Sequence, residues 1–550
     1  MLCHLDLPGS PPGSERMETN STSPQYPDLY EASILELQAG LEMGHFTSVD
    51  LVEAYFRRIE EVNQNGPCLR AVIETNPSAR RQAESLDQER KRSGKRGFLH
   101  GMLKDNMATI FPEGMNTTCG SYTLLGSVVP DDAGIVKKLR EAGAIILGKS
   151  NLSEFSHARG TLATGWSGRG GQCTNAYCHG GDPAGSSSGS AVAVSIGLAP
   201  VALGTETDGS IVFPASFNNI VGVKPTVGLT SRAGVIPITL HQDTIGPLTR
   251  TVLDSAIVLN AIAGVDANDK DTLSQPTPLP DYVKAMRRDA LKGKRIGVPR
   301  HYFSDGSNTE ADPFVNVAFN EALDVIRKLG AVVVDPADIP SADKVPLMKK
   351  NENHIWAVDM KITLESWFKT LKSNPTGVHN IDEIIKFNDD HPELEKPEGF
   401  ENQDNLIVAS KTNGHDEEYH EGLKVNKQLG GSEGIDSALQ SHNLDALVLP
   451  ASFFDTTTPS GVAGYPIVTV PMAFFPEDTK TRSSGPLTVY PAPGFPLGLS
   501  FLGTAWSEFD LLSYAFAYEQ ETRTRLARLA FPGAIPKTQL QDVILSRKSS

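Results

Sequence analysis

Residues 180–230, GGDPAGSSSGSAVAVSIGLAPVALGTETDGSIVFPASFNNIVGVKPTVGLT, constrain this chain more than any other stretch. Two glycine- and serine-rich segments, 183–190 and 204–210, read as turns and flank residues 191–200, which are built only from Ala, Val, Ser, Ile, Gly, Leu and Pro. Small side chains let backbones approach closely, and glycine reaches dihedral angles that other residues avoid. Ser186, Ser187, Ser188, Ser190 and Ser210 add hydroxyls, each able to donate and to accept a hydrogen bond. Hydroxyls and free backbone N–H groups gathered in one region suit acyl transfer. A phosphate cradle would need the G-x-x-x-x-G-K-[ST] pattern, which is absent. A flexible linker would not carry the near-continuous apolar residues between and after the two segments. The residues by themselves leave a nucleophilic site and a structural loop both open.

The whole chain reads as a large globular unit. Its 550 residues, 39% hydrophobic and 21% charged, fit a single α/β domain of enzyme size. A net charge of −16 is a poor footprint for nucleic acid or an anionic membrane surface. The five cysteines, Cys3, Cys68, Cys119, Cys173 and Cys178, are odd in number and lack C-x-x-C spacing, so no disulfide framework or zinc site is expected. No apolar run reaches the length of a spanning helix. The opening MLCHLDLPGSPPGSERMETNSTSP lacks the basic and apolar regions of a secretory leader. The expectations are a cytoplasmic location, no membrane or nucleic-acid partner, and no cofactor or metal.

Taken in order, residues 1–28 are rich in Pro, Ser and Gly and are expected to be disordered. The folded domain is expected over 29–535, with a C-terminal tail at 536–550. Helices are predicted over 29–44 and from Thr47 or Ser48 onward, the second with Asp50 as the acidic partner of its cap. Leu51, Val52, Tyr55, Phe56, Ile59 and Val62 share one face of it. CLRAVIET reads as a strand, 80–96 as a solvated basic helix, and LHGMLKDN as a strand end carrying Lys104 toward the core. Residues 133–149 read as a helix followed by a buried strand. Residues 294–335 read as strand, helix, strand, with Asp312 as cap, Pro313 at the first helical position and Gly330 at the end. That β-α-β arrangement supports a sheet covered by helices. Residues from about 340 to 436 are charged and helical in pattern, and are expected to cap one end of the sheet. Within them, His415, Asp416, Glu417, Glu418 and His420 lack H-E-x-x-H spacing and read as solvated surface. Arg169, in GWSGRGGQ, is expected to pair with a carboxylate rather than to orient substrate. DALVL, PIVTV and GLSFLG return as strands, and a last helix spans about 507–527.

Seven motifs occur in order: LHGMLKDN, GSSSGSAVAV, GTETDGSI, VGVKPTVGLTSRAGVIPI, QDTIGPLTRTVLDSA, DALVLPAS and GYPIVTVPMAF. Together they make the chain resemble the amidase signature family over roughly residues 30–530. GWSGRGGQ with the TDGS form of the second segment is similar to the peptide-amidase-like branch. The resemblance implies an α/β fold, a mixed twisted central sheet with helices on both faces, with core motifs over 99–264. It also implies hydrolysis of a carboxylic or peptide amide to an acid plus ammonia or an amine, with no cofactor. By the same resemblance Ser210 is the nucleophile that forms the acyl-enzyme, Ser186 the bridging serine on a cis peptide, and Lys104 the base. The N–H groups of Thr207, Asp208, Gly209 and Ser210 would form the oxyanion hole. Hydrolysing an amide calls for such a set: an activated nucleophile, an oxyanion site and a proton for the leaving nitrogen. G-x-S-x-G does not surround Ser210, which disfavours an α/β-hydrolase triad. Lys104 would have to be neutral, a drop of ~3 units or ~4 kcal/mol from the ordinary lysine value.

Three departures from the family pattern stand out. Asp208-Gly209 replaces the common Gly-Gly, and Phe213 stands where many members place an Arg. The segment between Gly101 and Lys104 is also short, and a changed length along a strand can turn a side chain to the other face. Two alternatives therefore accompany the hydrolase reading: a glutamine-hydrolysing amidotransferase A-type subunit, and a catalytically impaired relative serving as a binding protein. The substrate is expected to be a small-molecule or peptide amide, with a homodimer left open.

Overall fold

The computed structural model describes residues 26–101, 103–106, 114–304, 312–452 and 454–549; of the stretch 1–28 expected to be disordered, 1–25 lies outside the described residues, while Asp28 accepts from the Tyr30 N–H and from Gln539 Nε2. Thirteen strands are present among the described residues: β1 (Val72–Thr75), β2 (Leu103–Asn106), β3 (Ile145–Ser150), β4 (Trp166–Ser167), β5 (Gly171–Gln172), β6 (Val201–Glu206), β7 (Val221–Lys224), β8 (Thr244–Thr249), β9 (Arg295–Gly297), β10 (Val332–Val334), β11 (Ala446–Pro450), β12 (Ile467–Phe474) and β13 (Pro496–Leu502). β4 and β5 pair as a small ribbon, and the other eleven form one sheet in the order β1-β3-β2-β6-β8-β7-β12-β13-β11-β9-β10. β2 runs parallel to β3 and β6, and β9 parallel to β10 and β11, while the remaining neighbours are antiparallel. β3, β8, β11 and β13 are buried along their whole length, as expected for strands covered on both faces. The mixed sheet and α/β class agree with the sequence.

Local rules account for most helix boundaries. Thr47 Oγ1 accepts from the Asp50 N–H while the Asp50 carboxylate accepts from the Thr47 N–H, opening the Ser48–Val62 helix as a capping box. Asp312 Oδ1 accepts from the Phe314 N–H ahead of Pro313 in the Pro313–Lys328 helix. The Ser188–Ser195 helix is buried on every side, which is why its sequence is apolar or small all round. The stretch 191–200 is thus packed core and not linker.

Three expectations are corrected. The first helix spans Ile34–Glu42 and not 29–44, because Ser33 and Glu36 form its capping box. Gly204 lies inside β6, so the second glycine-rich segment turns only after Glu206. The supposed tail at 536–550 contains a helix, Leu540–Ser549, whose Leu540, Val543 and Ile544 are buried against the main core. Its apolar positions are too few and too close to the chain end to have registered as a helical face.

Residues 345–435 are mostly helical and lie over one end of the sheet, and are called the cap below. Its longest helix, Val345–Phe368, packs Ala357, Met360, Leu364, Trp367 and Phe368 against Leu124, Phe155, Ala158 and Ile238 of the loops at one end of the sheet. A buried cluster fastens the cap. Arg159 Nη1 meets Glu154 Oε1 at 2.8 Å and Glu395 Oε2 at 3.2 Å, and Glu395 Oε1 accepts from Ser121 Oγ at 2.8 Å. Burial, followed by the mutual repulsion of the two carboxyls, pushes Glu154 well above the usual carboxylate range. In the 415–420 stretch, Asp416 caps the Glu417–Gly430 helix and His415 stacks on Tyr419. No helix among the described residues is long and apolar enough to cross a membrane.

Candidate active site

β6 carries the chain to the middle of the sheet, and residues 207–211 then turn into the Val212–Phe217 helix. A buried helix start leaves backbone N–H groups without intrahelical partners. Glu206 supplies the acceptor: its carboxylate takes the N–H of Gly209 at 2.9 Å, Ile211 at 2.6 Å and Val212 at 2.9 Å. Burial raises the Glu206 carboxyl, and Lys224, itself buried and lowered to about 8, opposes that rise. Glu206 lies inside the GTETDGSI motif, and nothing in that motif marks it out as an acceptor. The signal that could have found it is a carboxylate followed closely by the start of a buried helix.

This arrangement revises the expected oxyanion donors. The Gly209 N–H is occupied by Glu206, whereas those of Thr207, Asp208 and Ser210 meet no acceptor among the described residues. Gly209 is needed for another reason: its φ is +84°, and a Cβ there would lie 2.3 Å from Phe213 Cε2. Phe213, in the place of the family's Arg, packs into the core over that glycine. The Asp208 carboxylate is held through one oxygen, while Oδ1 has no hydrogen-bond partner among the described residues. Its Oδ2 accepts from Thr458 Oγ1 at 2.8 Å, and burial raises it.

The two serine-rich segments meet here. The Ser187 N–H donates to the Ser210 carbonyl at 3.2 Å, and Ser187 Oγ donates to the Thr205 carbonyl at 3.1 Å. The Gly185–Ser186 peptide is cis. Ser186 is fully buried, and its Oγ has no hydrogen-bond partner among the described residues. Ser188 and Ser190 are turned to structural work, bonding the Ala184 and Leu203 carbonyls. Lys104 sits within β2, opposite Ile146 of β3 and Val201 of β6, with a register irregularity between Lys104 and Asp105. The short segment before it therefore still delivers a paired central strand. The Lys104 side chain lies outside the described residues.

Ser210, Asp208, Thr207 and Gly185 open onto a cleft of about 490 Å³ between the sheet end and the cap. Its walls tie back to the turn by long-range bonds that no local pattern announces. Gln242 Nε2 donates to the Thr207 carbonyl at 3.3 Å and to Glu352 Oε1 at 2.6 Å, and Gln242 Oε1 accepts from Trp356 Nε1 at 3.1 Å. Thr207 Oγ1 donates to Asp243 Oδ1 at 2.7 Å, while Asp243 Oδ2 takes the N–H groups of Ile238 and Thr239. Burial lifts Asp243 to about 6 and raises Glu352 well above its ordinary range, with Asp208 adding to the Glu352 rise. On one wall Phe155, Ser156 and His157 all have left-handed backbone, a cost of order 1–3 kcal/mol each that turns Ser156 and His157 toward the cleft. Arg169 pairs with Glu74 at 2.8 Å and takes the structural role expected of it.

The Amidase family profile matches residues 50–512. A protein of Arthroderma benhamiae named "Putative amidase" is 41% identical over 525 residues, covering 91% of this chain and 87% of its own. A probable amidase of Arabidopsis thaliana is 39% identical over 506 residues, covering 90% of this chain and 91% of its own. The crystal structure of a peptide amidase from Stenotrophomonas maltophilia superposes with a TM-score of 0.80 at 40% identity, covering 92% of this chain and 99% of that one.

Proposed function

We propose, for a chain that belongs to the amidase signature family and is an amide-hydrolysing enzyme, that Ser210 carries the reaction through an acyl-enzyme, with Ser186 and Lys104 moving its proton. Ser210 Oγ attacks the amide carbonyl carbon and loses its proton to Ser186 Oγ as Ser186 passes its own to a neutral Lys104. The oxygen of the tetrahedral intermediate takes the N–H groups of Thr207, Asp208 and Ser210, and the proton returns along the relay to the leaving nitrogen. Water then repeats the sequence on the ester to free the acid. A preorganised donor of this kind is typically worth ~10²–10³ in rate. The fatty or peptidyl nature of the acyl group does not enter this chemistry.

The observation that supports the reading is the fully buried Ser186 Oγ, without a hydrogen-bond partner among the described residues, beside a cleft lined by Ser210, with the N–H groups of Thr207, Asp208 and Ser210 meeting no acceptor among those residues. A buried hydroxyl needs a partner, and in this reading the Lys104 amine and the Ser210 hydroxyl supply it. The test is intact mass after treatment with a fluorophosphonate. Stoichiometric labelling of the wild type, lost in Ser210→Ala and slowed in Lys104→Ala, is expected. A folded wild type that takes no label, or a Ser210→Ala that labels equally, sinks the assignment.

A further inference from the structure

The long cap helix lays one stripe of side chains along the cleft: Lys349, Glu352, Asn353, Trp356, Ala357 and Met360. The spacing follows a single helical face, and the eight steps from Glu352 to Met360 span about 12 Å at the helical rise. Polarity along the stripe is graded. Glu352 is bound through Gln242 to the Thr207 carbonyl, so its end of the stripe is the nucleophile end. The charged residues of the cleft, Asp208, Lys349 and Glu352, all gather there, and Lys349 is already paired with Asp455. At the other end Ala357 and Met360 join Ala158 and Ile238 in one apolar cluster, with Val408 exposed at the lip. Burial pushes His157, on the facing wall, toward its neutral form. Trp356 stands between the two ends, its indole N–H held by Gln242.

We infer that this cleft selects amides with an extended apolar acyl group, the scissile carbonyl lying at the Glu352 end and the hydrocarbon running along the helix to Met360. The inference rests on the reading of Ser210 as the nucleophile. Glutamine fits it poorly: its ammonium and carboxylate would have to leave water inside the cleft, and its short chain stops well before Met360 and forgoes the apolar wall. Acetamide and other short amides would leave most of the 490 Å³ to water and forgo the apolar contact. Each methylene moved from water into the far end should instead raise kcat/KM about fourfold.

The experiment is hydrolysis of acetamide, butanamide, hexanamide, octanamide and glutamine by the full-length chain, with ammonia as the readout. The expected result is a rise of at least tenfold from acetamide to hexanamide, with glutamine no better than butanamide. Met360→Trp should shorten the cleft and lower the octanamide-to-butanamide ratio by tenfold or more. Val408→Trp, at an exposed lip position, makes the same test where Met360→Trp does not fold, with a shift of the ratio in the same direction. A flat series, a preference for glutamine, or ratios untouched by both substitutions overturns the inference. Fluorophosphonate labelling of the same preparations separates the two failures. A labelled enzyme with a flat series loses only the acyl selectivity, whereas a folded enzyme that neither labels nor hydrolyses loses the Ser210 reading as well.

Discussion

Glu206 holds the nucleophile turn without touching the reacting atoms, and its removal can be worked through from its three bonds. The carboxylate is 1% exposed and takes the N–H groups of Gly209, Ile211 and Val212 at 2.9, 2.6 and 2.9 Å. In Glu206→Gln the amide oxygen can keep two of these donors, but the amide NH2 confronts the third. One buried N–H left without an acceptor costs about 1–3 kcal/mol. Glu206→Ala orphans all three, so a loss of about 3 kcal/mol or more is expected even after relief from burying a carboxylate. The turn that relaxes is the one carrying Ser210, and a misplacement of about 1 Å at a reacting group costs on the order of 10²-fold in rate. The assay is the pseudo-first-order rate of fluorophosphonate labelling at fixed probe concentration, with urea unfolding of the same samples. Labelling should slow roughly tenfold in Glu206→Gln and about a hundredfold in Glu206→Ala. A Glu206→Ala protein that labels within about threefold of wild type and unfolds within about 1 kcal/mol of it would refute the reasoning.

Two further perturbations test the frame around the site. Asp254 is fully buried, Oδ1 accepts from the Ile34 N–H at 3.1 Å, Oδ2 has no partner among the described residues, and burial lifts its carboxyl from 3.8 to about 6. A raised carboxyl favours the fold while protonated and loses that contribution as pH rises through about 6. Stability of Asp254→Asn, measured against wild type by urea midpoint, should therefore improve by about 1–2 kcal/mol from pH 5 to pH 8, and an unchanged difference would contradict the burial argument. Arg159→Met removes the one cation between Glu154 and Glu395 in a fully buried cluster, a change worth about 3–5 kcal/mol. Because that cluster fastens residues 392–400 to the sheet end, limited proteolysis in this segment should accelerate with it, and resistance equal to wild type would show that the cap is held by its apolar contacts instead.

What the sequence could determine by itself was whatever depends on neighbours within a few residues or on burial in bulk. The caps at Thr47 and Asp312 are satisfied by groups two or three positions away, so their helices were legible. The small, apolar run at 191–200 announced packed core because no side of it could face water, though not that it would be a helix, and the ordered motifs pointed to Ser186 and Ser210 together. Tertiary structure decided what lies between distant segments. Which N–H groups stay free around Ser210 depends on Glu206 claiming the one at Gly209, a matter of backbone direction that composition does not carry. Gln242 meets Glu352 across 110 residues, and Arg159 meets Glu395 across 236. The cleft exists only where the cap helix crosses the sheet end, so the polarity gradient from Glu352 to Met360 became a statement about substrate only once that helix had a wall to face. A hydrogen bond or a cavity between remote segments is set by packing of the whole chain, and its partners share no local period from which either could be read.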